Sequence, residues 1–482
     1  MANAAAIPVL TMLRREQCEA IHDASLEILR RTGVRVYHPE ALRLLRETDA
    51  VISDDNLVRL PAGLVEWALK QAPSRVALCQ RGSSQVGARL EGREVNFGTG
   101  SDCPNYLDPR TGGHRPFRQA DVVDCIHVVD ALPELGFCMS MGIPSDLGLS
   151  NAYRQQAALM MTHTRKPMVF VCDDRWDCEA IAGMAAAGAG GMEALRLNPT
   201  LVLYSEPSTP LKHSETATGK LLFMAEAGLP IVHSPAPMMG GTAPVTLAGA
   251  VALGNAEVLS SLVMHQLKRP GAPFVYGQGL HHMDMKTMIS VYGAPEYQLA
   301  RVLVMELGRY YHLPTWGYAG HSDSCAMDEQ AAIDSAFSVL VALMTGTHLA
   351  HDVGYLEAGL TTSPEMIVLT AENISMMRAF MKGVTLDAET LALDVIHAVG
   401  PGGDFLTHKH TLKHFREMWQ PTLISRQRME DWLSGGKKRL GERLREKTLS
   451  LMAEHKPEPL PDAVRAEIDY ILKAAPGSMA PA

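Results

Sequence analysis

The chain has 482 residues, with 44 Lys and Arg against 53 Asp and Glu, for a formal net charge of −9. At 46% hydrophobic and 20% charged it reads as a soluble globular protein with a large core. No basic run is long enough to track a phosphate backbone, which excludes nucleic acid as an expected partner. No leader and no uncharged 18-residue apolar stretch points to a membrane, so a cytoplasmic protein is expected.

Residues 1–90 read as an α+β extension. Residues 15–31 have helical spacing (Ile21, Ala24, Ile28, Leu29) and stop near Gly33. Residues 34–37, 57–60 and 76–79 read as short strands, with a helix near 64–71. From residue 94 a rhythm sets in. Eight apolar runs break into Gly, Asp, Tyr or His: 94–100 (EVNFGTG), 136–142 (GFCMSMG), 167–173 (PMVFVCD), 200–206 (TLVLYSE), 230–235 (PIVHSP), 273–279 (PFVYGQG), 314–320 (PTWGYAG) and 348–354 (HLAHDVG).

Each run is followed by a helical stretch, over 119–131, 151–163, 175–190, 214–227, 245–268, 295–312, 328–346 and 364–383, with Ser150 and Ser214 as caps. Eight strand–loop–helix units predict an α/β fold, a TIM (β/α)8 barrel over 91–383, with its site at the strands' carboxyl ends. Residues 384–475 change to a helical region (387–398, 408–419, 425–455, 462–474), and 476–482 read as a disordered tail. The eight cysteines show no CxxC spacing and read as reduced thiols, mostly core.

The late ends of the eight runs name the candidate site: Phe97, Asp102, Tyr204, Glu206, Tyr276, Gln278, Tyr318, Asp323, His348, His351 and Tyr355, with Tyr106 nearby. Tyrosines mixed with carboxylates suit a cationic substrate, the ring faces by cation–π attraction and the acids by charge. The same tyrosines also serve as hydroxyl-anchored caps of a barrel top, and His348 and His351 as satisfied core histidines. His281-His282-x-Asp284 and His408-x-His410-x3-His414 have metal-like spacing. Gly277-x-Gly279 is too short for a dinucleotide loop, and no GxxxxGK[ST] occurs.

Two stretches, 317–332 (GYAGHSDSCAMDEQAA) and 400–414 (GPGGDFLTHKHTLKH) with the following FREMWQP, carry a family likeness, together with 348–354 and 235–250 (PAPMMGGTAPVTLAGA). Over nearly the whole chain they resemble the trimethylamine:corrinoid methyltransferase superfamily. The resemblance implies a TIM-barrel enzyme, commonly self-associating, that moves a methyl group from a methylated amine to the cobalt of a separate corrinoid protein. Cobalamin would then come on that partner, with no cofactor held tightly by this chain. Asp394-x-x-His397-x-x-Gly400 is one residue too long for the cobalamin-binding DxHxxG and lacks its βα surroundings.

Trimethylamine members carry pyrrolysine within the barrel. By approximate alignment it falls in segment 322–325, with Cys325 as the nearest counterpart, so this chain is similar to the non-pyrrolysine branch acting on glycine betaine, proline betaine or carnitine. A quaternary nitrogen leaves as a neutral tertiary amine without prior protonation, which makes the protein's task one of holding and aligning. A betaine carboxylate would need donors, for which His348, His351 or the amides of loop 239–242 are candidates. Such a nitrogen has no lone pair for a metal, so no metal is expected. Two other readings stay open: a zinc-dependent alcohol or thiol methyltransferase, and a quaternary-amine binding protein without catalysis.

Overall fold

The computed structural model describes residues 5–474, so the expected tail at 476–482 lies outside the described residues. The fold is mixed α/β. Its centre is eight parallel strands: β1 (Asn96–Thr99), β2 (Leu135–Phe137), β3 (Met168–Phe170), β4 (Leu201–Ser205), β5 (Ile231–His233), β6 (Phe274–Val275), β7 (Trp316–Tyr318) and β8 (Leu349–Val353). Neighbours in chain order pair in parallel. Single bridges, Cys138 to Met168 and Tyr276 to Thr315, join β2 to β3 and β6 to β7. The last strand pairs back onto the first, Leu349 with Asn96 and Ala350 with Phe97, so the ladder closes on itself.

A helix follows each strand: α1 (Gln119–Ala131), α2 (Leu149–His163), α3 (Arg175–Ala189), α4 (Glu215–Ala227), α5 (Leu247–Lys268), α6 (Pro295–Tyr310), α7 (Glu329–Thr345) and α8 (Pro364–Met381). All begin and end within a residue or two of the periodicity. Ser214 caps α4, accepting from the Ala217 amide at 3.2 Å, whereas α2 starts ahead of Ser150, after Gly148.

Alternation along the strands separates two cores. Phe137, Met139, Val169, Val202, Val232, Val275, Trp316, Tyr318 and Leu349 form one buried cluster inside the ring. Leu78, Ala88 and Leu90 belong to the same cluster, so the hairpin Val76–Cys79/Val86–Leu90 plugs the end where the strands begin. Residues of the opposite parity (Phe97, Phe170, Leu203, Phe274) join a second cluster with the helices. With one end plugged, the carboxyl end is left for chemistry.

The N-terminal helix Arg15–Glu27 continues as a π-helical turn, Ile28–Thr32, and stops at Gly33. Gly33 has φ +77°, and a Cβ there would meet the Val58 carbonyl at 2.5 Å. A small sheet in the order 212–213, 34–36, 57–59, 51–53 ties this extension to the β4–α4 loop. Helix α5 is long and apolar enough to cross a membrane, yet 78% of its most apolar window is buried within the fold. All eight cysteines are free; seven are buried and Cys325 is exposed.

The C-terminal helices are shorter than their spacing predicts. The 387–398 helix breaks at Ala392 (φ +50°), and the 408–419 helix ends with Phe415–Glu417, ahead of Pro421. The 425–455 helix splits at Gly435-Gly436, the second glycine at φ +91°, into Met429–Ser434 and Leu440–Glu454. Two loop hairpins carried no clear alternation and are found only in the structure: Asn105–Leu107/His114–Pro116 after β1 and His281–Asp284/Ile289–Val291 after β6.

The plug generates a stability prediction. Leu78 is fully buried, so Leu78→Ala should lower unfolding stability by about 2–5 kcal/mol. Denaturant titration measures this, and ligand affinity at the opposite end should stay unchanged.

Candidate active site

At the carboxyl end of the ring the inward parity brings rings together. Tyr204 on β4 lies 5.3 Å from Trp316 and 5.7 Å from His351, centroid to centroid. His351 on β8 stacks on Trp316 at 4.1 Å and sits 4.3 Å from Tyr318. Its Nδ1 is 2.8 Å from Oδ1 of Asp352, a buried residue at φ +79°. Such a backbone is costly for a non-glycine residue and is held where its surroundings require it.

A second tier of rings adjoins the first. Tyr292 stacks on Tyr297 at 5.1 Å, His281 lies 5.3 Å from Tyr292, and His321 sits 5.2 Å from Tyr292 and 5.4 Å from Tyr297. Burial pushes His281 and His321 down to about 4, so both are neutral near pH 7. The guanidinium of Arg301 stands 4.5 Å over both Tyr297 and Tyr318 and donates to the carbonyls of Gln278 (2.8 Å) and Leu280 (2.5 Å). These ring faces therefore already hold one cation.

Acids complete the lining. The Tyr204 hydroxyl donates to the Glu206 carboxylate, two residues along the same face of β4. Glu206 meets solvent on one side and protein on the others; desolvation raises its pKa, and the negative charges of Asp102 and Asp352 add to the rise. Asp102 (φ +71°) accepts from Ser101 Oγ at 2.8 Å and Tyr153 OH at 3.2 Å, and burial raises it as well. Asp173, at the end of the run after β3, is raised by the same cause. Lys220 donates to the Cys172 carbonyl at 2.7 Å and partly offsets these charges. The buried ring nitrogens His351 Nε2 and Trp316 Nε1 have no hydrogen-bond partner among the described residues.

The eleven sequence candidates divide by parity and by strand end. Tyr204, Glu206, Tyr318 and His351 meet in the mouth, and Asp102 joins them. Tyr355 stands at its margin, its hydroxyl donating to the Ser101 carbonyl and its ring covering Gly100. The others go elsewhere. Phe97 faces the helices, 5.7 Å from the Arg378 guanidinium. Tyr276 and Gln278 share the outward parity of β6: the Tyr276 hydroxyl donates to Asn255 on α5 at 2.7 Å, and Gln278 Nε2 donates to that hydroxyl at 3.1 Å.

His348 precedes β8 at the plugged end, its Nδ1 accepting from the Thr315 amide at 2.9 Å. Asp323 accepts from the amides of Tyr292 (2.7 Å) and Gly293 (2.9 Å) and serves as a loop brace. Tyr106 packs against Phe117, away from the ring's interior. Cys325 is exposed in the loop after β7 and touches none of the mouth rings. The amides of loop 239–242 are spent internally, those of Gly241 and Thr242 on the Met238 carbonyl.

Sequence reasoning missed Trp316, Tyr292, Tyr297, His321, Arg301 and Lys220, whereas Asp173 and Asp352 stand among the strand ends it points to and His281 carries only metal-like spacing there. Trp316 was within reach, because it sits two residues before Tyr318 and so shares its parity. Tyr297 and Arg301 lie one turn apart on α6 and gave no strand-end signal.

A family profile described as trimethylamine methyltransferase (MTTB) matches residues 2–476. Among curated proteins, the trimethylamine methyltransferase MttB of Desulfitobacterium hafniense is 32% identical over 459 residues, 95% of this chain and 92% of that protein. The glycine betaine methyltransferase of D. hafniense strain Y51 is 29% identical, with 97% of each chain covered. Among solved structures, the hydroxylamine complex of MtmB superposes with a TM-score of 0.53 at 12% identity, covering 92% of this chain and 89% of that one. The Methanosarcina barkeri monomethylamine methyltransferase MtmB gives a TM-score of 0.51 at the same identity. These two show the fold alone. The chain belongs to the trimethylamine methyltransferase (MTTB) family.

The raised Glu206 carboxyl gives a pH prediction. A permanently charged probe such as tetramethylammonium should bind best when Glu206 is ionised. Its affinity should fall with decreasing pH, starting above about pH 4.3, where an ordinary Glu titrates. Calorimetry across the range measures this, and Glu206→Gln should weaken binding and remove most of the pH dependence.

Proposed function

We propose that this protein transfers one methyl group from a quaternary amine, glycine betaine or a related betaine, to the Co(I) centre of a corrinoid carried by a separate protein. We take the strand ring with its helices as a TIM (β/α)8 barrel over 91–383, flanked by an α+β extension (1–90) and a helical region (384–475), acting as a cytoplasmic homo-oligomer. The observation that carries the reading is the Tyr204–Glu206 pair beside Trp316, Tyr318 and His351, a set of rings and an acid in one mouth.

In the reaction the C–N bond breaks, its electron pair stays on nitrogen as a neutral tertiary amine, and the carbon bonds to cobalt. No proton need move. The reduced corrinoid supplies the nucleophile; this chain holds, orients and dries the substrate. Tyr204, the part-exposed ring of the set, offers its face to the trimethylammonium group, with buried Trp316, Tyr318 and His351 packed behind it, and a cation–π contact there contributes about 2 kcal/mol. Glu206, Asp102 and Asp173 balance its charge. Of the donors considered for a betaine carboxylate, His351 alone stands in the mouth, since His348 and the 239–242 amides are engaged elsewhere. Cys325 fits the reading: a substrate that leaves as a neutral amine needs no electrophile in the loop where the family's pyrrolysine is expected.

The test gives the purified protein cob(I)alamin and a panel of quaternary amines, trimethylamine, methanol and a thiol, following loss of Co(I) absorbance. Methylation by a betaine is expected. Methylation by methanol or a thiol, or betaine binding without methylation of any corrinoid, overturns the reading. Tyr204→Leu should weaken betaine binding by about 2 kcal/mol, roughly 30-fold.

A further inference from the structure

Beyond α8 the chain takes a form that apolar burial does not explain. No side chain among residues 382–418 is buried or packs on the hydrophobic core, yet this stretch holds regular helices at Ala388–Leu391, Leu393–Val399 and Lys409–His414. Leu391, Leu393, Leu406 and Leu412 are exposed. Helices this short do not persist alone in water, and a segment without a core needs another source of folding free energy, of which a metal is one.

The needed groups are assembled at one place. Glu389 lies in the first of these helices. His410 and His414 are four apart on Lys409–His414, so both imidazoles leave the same helix face, with ring centroids 4.4 Å apart. One donor atom from each of the three residues lies within 4.8 Å of the other two, the only such group among the described residues. His414 Nε2 is already 3.1 Å from Glu389 Oε1, close to the roughly 3.3 Å between donors on a tetrahedral zinc with bonds near 2.0–2.1 Å. The same carboxylate oxygen takes a cation in this structure, the Lys413 ammonium at 2.6 Å. Lys413 is exposed, so a divalent ion would displace it without opening a core. The third histidine of the motif does not converge: His408 caps the helix, its Nδ1 accepting from the His410 amide at 3.1 Å. On the other side, His414 Nδ1 is 2.8 Å from Glu417, the carboxylate that would orient a ligating imidazole.

We propose that Glu389, His410 and His414 form a structural site for a divalent ion of the zinc class, with water in the fourth position, clipping helix Ala388–Leu391 to helix Lys409–His414. Two imidazoles and one carboxylate are a borderline donor set that favours zinc over magnesium or calcium. The ion sits on the C-terminal segment and has no step in the methyl transfer. It holds in place a stretch of chain that apolar burial does not hold.

The test uses the full-length protein. Elemental analysis should find close to one equivalent of zinc per chain, and cobalt(II) loaded in its place should show tetrahedral d–d absorption. The double variant His410→Ala/His414→Ala and the milder Glu389→Gln should lose stoichiometric metal while keeping the barrel's unfolding transition and losing only the few per cent of helical circular dichroism that this segment contributes. Chelation of the wild type should open the segment near residues 391–407 to limited proteolysis, as the variants are without chelator. Lys413→Ala separates this site from a plain ion-pair cluster: it should bind zinc at least as tightly as wild type. Absence of zinc, with titrated uptake no better than that of the double variant, overturns the proposal. So does metal retained undiminished by both variants.

Discussion

The parity of side chains along a closed parallel ring governs this molecule. Successive residues of each strand face either the lumen or the helix layer, and closure of β8 onto β1 leaves no edge at which that alternation can be relaxed. Tyr204 and Glu206, Trp316 and Tyr318, and Leu349 and His351 are pairs of equal parity on three strands. Each delivers its second member nearer the carboxyl end. On the neighbouring side of β7, β6 and the run after it present Val275, Gly277 and Gly279, and a Cβ on Gly277 would come within 2.8 Å of Trp316. Small residues beside Trp316 thus make room for its ring.

What the mouth does follows from putting acids among those rings. A carboxylate that loses part of its water costs free energy unless a partner replaces the water. Glu206 and Asp102 are partly compensated by tyrosine hydroxyls and by Lys220, and burial still raises both. A permanent cation is the partner that such a site lacks. Arg301 shows the same arrangement satisfied internally, its guanidinium between two tyrosine faces at 4.5 Å. On the proposed reading the mouth takes charge without exchanging a proton, as suits a substrate whose nitrogen carries no titratable hydrogen.

Much of this was legible in the chain, and the reasons it was not all legible are physical. The strand–helix rhythm gave the ring's elements because each unit repeats one pattern of apolar run, polar loop and amphipathic helix. Strand parity was hidden, because strands covered on both faces read as continuous apolar runs. Tyr276 and Gln278 therefore stand at a strand end in the sequence and yet face α5. His348 was chosen from the wrong end, since the run HLAHDVG begins before the strand does. Tyr292, Tyr297 and Arg301 come from a hairpin and a helix start in the loop after β6, which no strand-end argument reaches. The C-terminal helices were overextended because helical spacing continued through Ala392 and the Gly435-Gly436 pair, where the backbone leaves the helix.

The claim on which the rest stands is that the mouth recognises positive charge and not merely a tert-butyl-like shape. Calorimetric comparison of glycine betaine with 3,3-dimethylbutanoate, the carbon isostere without the charge, tests it directly. If a cation–π and carboxylate site of this kind operates, the ammonium should bind at least tenfold more tightly, a difference of about 1.4 kcal/mol or more. Equal affinities, or tighter binding of the carbon isostere, would contradict it.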